Sequence, residues 1–347
     1  MSRVYLDWNA TAPMRSEARE AMVSAFGIAG NPSSIHAEGR AARAAVERAR
    51  AQVATALGAE AADVVFVSGA TEAAALACAG RGLSCAPVEH EAVLAWCDVD
   101  LTVDGDGAAG VPNPAGATLQ AANSETGIVQ DLPPGLAVCD ATQAFGKRPF
   151  AFDWSGIDMA FVSAHKIGGP KGVGALAIRR GLDLEARTRG GGQEMGRRAG
   201  TENVAAIAGF GAAAEAALRD LADGAWAEVA RRRDRLEGAL AQAAPDTICI
   251  GKGAVRLPNT TLLLTPGWKG ETQVMQMDLA GFSVSAGSAC SSGKLRGSGA
   301  LAAMGYEAGA AGSAIRISLG PTTTDEDVDR FAEAWSRRHE TFRARAA

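Results

Sequence analysis

Lys166 combines a rare residue type with a position at which lysine can do chemistry. The chain has only six lysines, and this one follows the apolar run Phe161-Val162 and precedes Gly168-Gly169. The run predicts a buried strand that ends in a glycine-rich turn, at the edge of an open α/β sheet where ligands bind. A lysine there can form a Schiff base with a carbonyl cofactor when burial or neighbouring charge lowers its pKa. A surface lysine in a loop is the alternative.

Asp140 ends a second apolar run and can tune such a cofactor. It follows Val138-Cys139 and lies 26 residues before Lys166, at the end of another predicted strand of the same sheet. A carboxylate beside a pyridine nitrogen keeps that nitrogen protonated, which makes the ring an electron sink. Because aspartate at a strand end is more often a turn or cap residue, this interpretation depends on the pairing with Lys166.

The segment Ser68-Gly69-Ala70-Thr71-Glu72 predicts a strand–turn–helix junction that can hold a phosphate. Free backbone N–H groups and the helix dipole favour anions at a helix N-terminus. No Gly-Lys-Ser/Thr follows the segment, and the G-x-G-x-x-G spacing is missing, so neither a Walker loop nor a dinucleotide site is predicted. An ordinary helix start is the alternative.

Three further residues can act on a substrate or a cofactor. His90 carries an imidazole, which can stack on an aromatic ring and move protons near neutral pH, although a single histidine is usually a surface residue. Cys290 lies in the Gly/Ser-rich segment 285–293, where we expect an exposed thiol that can act as a nucleophile. We interpret the other five cysteines as structural. Arg316 lies within an apolar strand and therefore needs an anionic partner, either a substrate carboxylate or a structural one.

Alternating strands and helices are predicted to position these residues. The predicted helices of the first two hundred residues cover roughly 14–26, 38–57 and 71–79, and the predicted strands cover 64–67, 118–122, 136–139, 159–162 and 173–178. Such alternation indicates an α/β fold with a mostly parallel central sheet.

The pattern changes in the C-terminal third. Residues 203–245 are predicted to be helical with a break at Asp223-Gly224, and strands follow at 262–264, 282–285 and 315–318. A last helix is predicted at 325–345, with Thr324 and Asp327 as a capping pair. We therefore predict two domains, a large cofactor-binding domain at 12–225 and a smaller α+β domain, formed by 1–11 and 226–347, that carries the cysteine loop.

Composition narrows the class of protein. The chain has 347 residues, of which 47% are hydrophobic, enough for a large core and two domains. The net charge of −5 argues against a general nucleic-acid-binding protein. No apolar run is long enough for a membrane span, and the first residues do not resemble a signal peptide. The six cysteines form no CxxC pair, so neither a disulfide framework nor a metal site is predicted, and a cytoplasmic location is expected.

These segments, in this order, resemble the cysteine desulfurases, within the class V aminotransferase family of fold-type I enzymes. The resemblance extends over residues 5–320, nearly the whole chain. It implies the fold of the transferases that depend on pyridoxal 5′-phosphate (PLP). Five motifs carry it: Ser68-Gly69-Ala70-Thr71-Glu72, Asp140-Ala141-Thr142-Gln143, Ser163-Ala164-His165-Lys166, Arg198-Ala199-Gly200-Thr201-Glu202-Asn203 and Gly287-Ser288-Ala289-Cys290.

The resemblance implies PLP as the cofactor and a role for each site residue. Lys166 would hold PLP as a Schiff base and later move the Cα proton, and His90 would stack on the pyridine ring. Asp140 would pair with the ring nitrogen, and Gln143 would bond the phenolic oxygen. The residues expected around the phosphate are Ala70, Thr71, Ser163, His165 and, from the second subunit of a homodimer, Thr201.

The resemblance also implies the reaction. L-cysteine would be bound through its carboxylate by Arg316, with Asn9 also in contact with the substrate. The Cys290 thiolate would attack the substrate sulfur, which leaves a persulfide on Cys290 and releases alanine. The sulfur would then pass to a thiolate of an acceptor protein, for example an iron–sulfur scaffold.

The chain departs from the family pattern at several places, and two of them concern the cofactor site and the central sheet. Ser124 stands where the family usually has a second asparagine at the cofactor's phenolic oxygen or the substrate. Residues 130–135 replace a crossover helix, although parallel strands ordinarily need one, so one sheet face is expected to be thinly covered or to be covered by another protein. A selenocysteine lyase or another class V aminotransferase is an alternative, although an aminotransferase has no use for the cysteine loop. The other alternative is a degenerate, non-catalytic homologue that acts as a binding partner.

Overall fold

Strands and helices alternate along the first two hundred residues of the computed structural model, which describes residues 3–287 and 298–346. The helices are α1 (Ser16–Phe26), α2 (Ala37–Leu57), α3 (Ala70–Cys78), α4 (Glu91–Leu94), α5 (Phe152–Ser155), α6 (Val204–Ala222), α7 (Ala225–Ala243), α8 (Gly270–Leu279), α9 (Gly299–Ala303), α10 (Ala308–Ala311) and α11 (Asp325–Ala346). The strands are β1 (Val4–Tyr5), β2 (Ala62–Val67), β3 (Ser84–Cys85), β4 (Asp98–Val99), β5 (Thr118–Gln120), β6 (Val138–Asp140), β7 (Met159–Ser163), β8 (Gly174–Arg179), β9 (Ile248–Cys249), β10 (Thr260–Leu264), β11 (Phe282–Ser283), β12 (Ser285–Ala286) and β13 (Ala314–Ser318).

A five-stranded sheet in the order β2-β8-β7-β6-β5 forms the centre of the N-terminal part. Strands β5, β6 and β7 pair in parallel, whereas β8 is antiparallel to both of its neighbours, β7 and β2. Four of the five strands therefore run in the same direction. A bridge between Ser84 and Ala117 continues the sheet to β3, which pairs in parallel with β4. The predicted α/β fold with a mostly parallel sheet is confirmed.

Alternating side chains of the central strands are buried on both faces of this sheet. On β2, Val64 and Phe66 pack in one apolar cluster, with α2 and α6, while Val65 and Val67 pack in a second cluster, with α3. Successive side chains of a strand point to opposite faces, so a continuous apolar run fits only a sheet that is covered on both sides. Helix α2 ends at Gly58, whose φ of 62° lies in the left-handed region that favours glycine.

The C-terminal part has its own apolar cluster. An antiparallel sheet, β12-β13-β10-β9, packs with α7, α8 and α11, and the largest fully buried side chain is Trp335. Strand β1 pairs with β11, so the N-terminal strand joins the C-terminal elements, as its predicted assignment requires. Thr324 and Asp327 form the predicted capping box at α11, with reciprocal backbone-to-side-chain hydrogen bonds of 3.0 and 3.1 Å. The exact domain boundary stays a prediction.

The connection from β5 to β6 contains no helix between residues 121 and 137, all of which the structure describes. It is anchored by the C-terminal part of the same chain. Ile128 packs against Leu262 and Leu301 and forms a β-bridge with Arg256. The backbone N–H of Val129 donates to the carbonyl of Val255 at 2.9 Å. The segment that lacks the crossover helix is therefore held by contacts distant in sequence. Among the described residues, no helix is both long enough and apolar enough to cross a membrane.

A buried ion pair links α7 to the start of β10. The guanidinium of Arg256 binds both carboxylate oxygens of Glu237, at 2.7 and 3.0 Å, and the two side chains are 5% and 4% exposed. Thr261 on β10 donates its hydroxyl to the same carboxylate at 2.8 Å. Removing one member of such a pair leaves the other charge buried without compensation.

We expect the substitution Glu237→Ala to lower the free energy of unfolding by about 3–5 kcal/mol, because Arg256 would keep its buried charge without a partner. Urea denaturation of the purified protein, followed by circular dichroism, measures this change. Glu228→Ala is the matched control, since Glu228 pairs with Arg231 on the exposed face of the same helix and its loss should change the free energy of unfolding little. Equal losses for the two variants would contradict the prediction.

Candidate active site

A cavity of about 570 Å³ lies where the carboxyl ends of β2, β5, β6 and β7 meet, a volume in the usual range for small-molecule sites. It brings together nearly all of the residues that the sequence indicated. The predicted site residues that line it are Asn9, Ala70, Thr71, His90, Ser124, Asp140, Gln143, Ser163, His165, Lys166 and Arg316.

The lining of this cavity does not test the predicted roles of Thr201 and Cys290. Thr201 is exposed and does not line the cavity of its own chain. Its expected contact is with the cofactor of a second subunit, which stays a prediction. Cys290 lies outside the described residues, so its predicted role as nucleophile also stays a prediction.

Lys166 reaches the cavity from the end of a buried strand. Strand β7 ends at Ser163, and a single 3₁₀ turn, Ala164–Lys166, carries the lysine past the sheet edge. Its amine donates to the backbone carbonyls of Asn9 at 2.7 Å and Ala10 at 2.9 Å. The amine is therefore held by the N-terminal segment of the chain.

Asp140 is a buried carboxyl group at the end of β6. Its Oδ1 accepts the backbone N–H of Thr142 at 2.9 Å. Burial raises the pKa of Asp140, while the hydrogen bond from the backbone N–H of Thr142 and the charges of His90 and Lys166 act in the opposite direction. A cationic ring nitrogen beside this carboxylate would supply a counter-charge and stabilise its ionised form.

The junction between β2 and α3 has the geometry of an anion cradle. Gly69 adopts φ 156° and ψ 178°, a conformation almost restricted to glycine, and Ala70 and Thr71 then open the helix at the cavity wall. Glu72 lies in the same helical turn but is paired with Arg198 at 2.9 Å, which offsets its negative charge. The helix N-terminus can therefore attract an anion despite the neighbouring carboxylate.

His165 presents a neutral ring to this part of the cavity. Burial, helped by the positive charges of Lys166 and Lys171, lowers the pKa of His165 to about 4. Among the described residues, neither the Nδ1 atom of His165 nor the hydroxyl of Thr142 has a hydrogen-bond partner. Buried polar atoms usually have a partner, so these two fit a wall that faces a polar ligand. Together with the cradle and Lys166, this set of donors fits a phosphorylated aldehyde cofactor such as PLP.

Two alternatives were set out for Arg316, a structural anionic partner and a substrate carboxylate. The structural ion pair is present, because Nη2 donates to Asp7 Oδ1 at 2.8 Å. Nη1 donates to the backbone carbonyl of Ser124 at 3.1 Å, and Nε has no partner among the described residues. The side chain is almost fully buried and still lines the cavity. A carboxylate ligand could therefore bind a guanidinium that Asp7 already orients.

Sequence reasoning missed three charged residues at this site: Glu89, Lys147 and Lys171. Lys171 lines the cavity, and Lys147 is buried directly behind it. The rarity of lysine in the chain was a usable signal for both. Glu89 precedes His90 and accepts the backbone N–H of Gln120 at 2.6 Å. Its burial depends on a segment far away in the sequence, so no local signal marked it.

Comparison with known proteins places this geometry in a family. The Aminotransferase class-V family model matches residues 4–99 and 111–331. The chain belongs to this family. Among curated relatives, it is 42% identical to a cysteine desulfurase of Cereibacter sphaeroides, with 96% of this chain and 95% of the relative covered. It is 36% identical to a cysteine desulfurase IscS of Dictyoglomus turgidum, with 98% of this chain and 95% of the relative covered.

Solved structures of other proteins have the same fold. A NifS-like protein of Rickettsia africae superimposes with a TM-score of 0.88 at 30% identity, over 97% of this chain and 99% of that chain. A structure described as SspA in complex with cysteine superimposes with a TM-score of 0.75 at 26% identity, over 92% of this chain and 100% of that chain. The PLP-dependent transferase fold expected from the sequence is confirmed.

The buried carboxyl of Glu89 makes the stability of this class-V protein depend on pH. Burial, helped by the charge of Asp140, raises the pKa of Glu89 well above its ordinary value of 4.5. Above pH 4.5 the unfolded chain releases this proton while the folded chain keeps it. The free energy of unfolding then falls as pH rises, by about 1.4 kcal/mol per pH unit for one proton, until the folded-state pKa is passed.

We expect Glu89→Gln to flatten this decline in the cofactor-free protein, because glutamine keeps the acceptor for Gln120 without a proton to lose. Urea denaturation between about pH 5.5 and 7.5 measures the slopes. The control is Glu91→Gln, at an exposed position two residues later, which should keep the wild-type slope. An unchanged slope in Glu89→Gln would show that Glu89 is ionised in the folded protein.

Proposed function

We propose that this protein is a PLP-dependent cysteine desulfurase, which converts L-cysteine to L-alanine and transfers the sulfur to an acceptor. The observation that carries the proposal is the convergence of Lys166, Asp140 and the α3 N-terminus on one cavity. A lysine amine, a carboxylate and an anion cradle are the three anchors that PLP requires. The names of the full-length relatives indicate which reaction of the family this chain performs.

Each anchor would contact a different part of the cofactor. Lys166 would bind its aldehyde carbon, Asp140 its ring nitrogen and Gln143 its phenolic oxygen. When bound, PLP supplies an electron sink for the charge that develops at the substrate Cα. The residues that would hold the phosphate are Ala70, Thr71, Ser163, His165 and, from a second subunit, Thr201.

His90 and Lys166 would handle the protons of the reaction. The Nδ1 atom of His90 accepts the backbone N–H of Ala92 at 3.1 Å, so the neutral ring carries its proton on Nε2. Lys166 would take the Cα proton of the substrate. Its distance of 2.7 Å to the carbonyl of Asn9 shows that the amine already has an acceptor when it is protonated.

Substrate recognition would combine charge and shape. The guanidinium of Arg316 would bind the carboxylate of L-cysteine, with Asn9 and Ser124 in the surrounding wall.

The Cys290 thiolate would then attack the sulfur of the substrate, so that the carbon–sulfur bond breaks and a persulfide forms on Cys290. The carbon skeleton leaves as alanine after it regains a proton. A thiolate of an acceptor protein, for example an iron–sulfur scaffold, would take the terminal sulfur. We also propose a homodimer in the cytoplasm.

The experiment that tests this function measures alanine and sulfide from L-cysteine in the presence of dithiothreitol, with the absorption spectrum of the same sample. We expect equal amounts of both products from a yellow protein. Lys166→Ala should lose both the colour of the lysine-bound cofactor and the turnover. A yellow wild-type protein that forms alanine from another amino acid but not from L-cysteine would overturn the proposed substrate.

We expect Cys290→Ser to keep the cofactor spectrum and its change upon addition of L-cysteine, yet to lose sulfide release by at least about 100-fold, because a serine hydroxyl does not act as a sulfur nucleophile. Cys249→Ser is the matched control. Cys249 is half-buried, and burial raises the pKa of its thiol to about 11. This control should release sulfide at the wild-type rate. Normal release from Cys290→Ser would show that another group takes the sulfur.

A further inference from the structure

Lys147 is a buried lysine for which the proposed reaction has no use. It lies one turn after Gln143, directly behind the cavity, and only 3% of its surface is exposed. Within the described ranges 3–287 and 298–346, its contacts are with uncharged groups. An unpaired ammonium is expensive to bury, so a lysine at this position calls for an explanation.

Two uncharged acceptors hold the Lys147 amine. It donates to Asn9 Oδ1 at 2.9 Å and to Gln143 Oε1 at 2.7 Å. Burial lowers the pKa of Lys147 well below its ordinary value, and the positive charges of Lys166 and Arg316 add to this effect. A neutral amine has two N–H groups, which match the two acceptors one to one. Lys147 therefore fits its site as an uncharged double donor.

Asn9 connects this amine to Lys166. The backbone carbonyl of Asn9 accepts the amine of Lys166 at 2.7 Å and the side-chain amide of Gln143 at 3.0 Å. The side-chain amide of Asn9 donates to Thr260 Oγ1 at 2.8 Å and to the carbonyl of Ser124 at 3.2 Å. Asn9 is thus fixed through its side chain on one side and offers its carbonyl to Lys166 on the other.

We propose that Lys147 is a positioning residue for Lys166, which acts by fixing Asn9 and Gln143 so that the Asn9 carbonyl stays aligned with the Lys166 amine. The contact of Lys147 with Gln143 also holds Gln143 at the cavity wall. This inference rests on the proposed role of Lys166 as the amine that binds the cofactor, but it concerns only contacts of the chain itself.

The direction in which the pKa of Lys166 shifts depends on the charged and titratable groups around the two lysines. Among the described residues, those that interact electrostatically with Lys147 or Lys166 include Asp140, His165 and Arg316. A substitution of Lys147 leaves all three in place. A carbonyl acceptor favours the protonated amine, whereas a neighbouring positive charge disfavours it. If Lys147 acts as a neutral hydrogen-bond donor, its removal should therefore lower the pKa of Lys166. If Lys147 acts as a positive charge, its removal should raise that pKa.

The test is the pH dependence of reductive methylation of Lys166 in the cofactor-free, full-length protein, followed by peptide mass spectrometry. In Lys147→Met we expect the midpoint to move down by about 0.5–1 pH unit, because Lys166 loses an aligned acceptor. Lys252→Met, at an exposed lysine, should keep the wild-type midpoint. An upward shift would mean that Lys147 acts as a charge, which would overturn the proposal. The absence of any shift would overturn it too.

Asn9→Ala gives an independent route to the same answer, also when Lys147→Met does not fold. It should reproduce the downward shift, and Lys147→Met should add nothing further in the Asn9→Ala background, because Asn9 transmits the effect. Additive shifts, or no shift in Asn9→Ala, would contradict the proposal. These methylation experiments measure no turnover. A wrong assignment of the desulfurase reaction would therefore leave the midpoints unchanged and would appear only in the alanine and sulfide assay.

Discussion

Four strands of the central sheet run in the same direction, so the residues that follow them meet at a single edge. That constraint places the β2–α3 junction, Asp140 and Lys166 on one cavity, although they are separated by many residues in sequence. Strand β8 runs the other way between β2 and β7, so the segment that leads into it, with Lys171 and Gly172, also lies at this edge. Because the strands are buried on both faces, a one-residue slip would move every side chain to the wrong face. The apolar core therefore fixes the register, and the register fixes the site.

The N-terminal segment forms part of the cavity wall, through Asn9, Ala10 and Thr11. Strand β1 pairs with β11 in the C-terminal part, and the chain then passes Asp7 and Asn9 on its way to α1. Asp7 binds Arg316 of β13, while Asn9 contacts both lysines. A few residues thus connect the proposed anchor for the substrate carboxylate with the amine that is proposed to bind the cofactor. The proposed reaction needs both groups at fixed separation, and this segment supplies the connection.

Burial shifts the pKa of four titratable groups at the site toward their neutral forms. It raises the pKa of Asp140 and Glu89, and it lowers the pKa of His165 and Lys147. Desolvation thereby favours the neutral form of each group. A cofactor with an anionic phosphate and a cationic ring nitrogen complements such a wall, since its charges would meet the helix N-terminus and Asp140. The site is in this sense prepared for a charged ligand rather than for bulk water.

Local sequence patterns determined much of this protein. Apolar runs and capping residues act over a few positions, so the central strands, the end of α2 at Gly58 and the capping box of α11 could all be predicted. The motif around Lys166 and its resemblance to the desulfurases indicated the cofactor-binding lysine and most of the cavity wall. Only the tertiary structure decided which partners the buried charges have. The contacts of Lys147 with Asn9 and of Asp7 with Arg316 join residues 138 and 309 positions apart. A pattern read over one helix or strand carries no information about such pairs, because burial and hydrogen bonding at these distances exist only once the chain has folded.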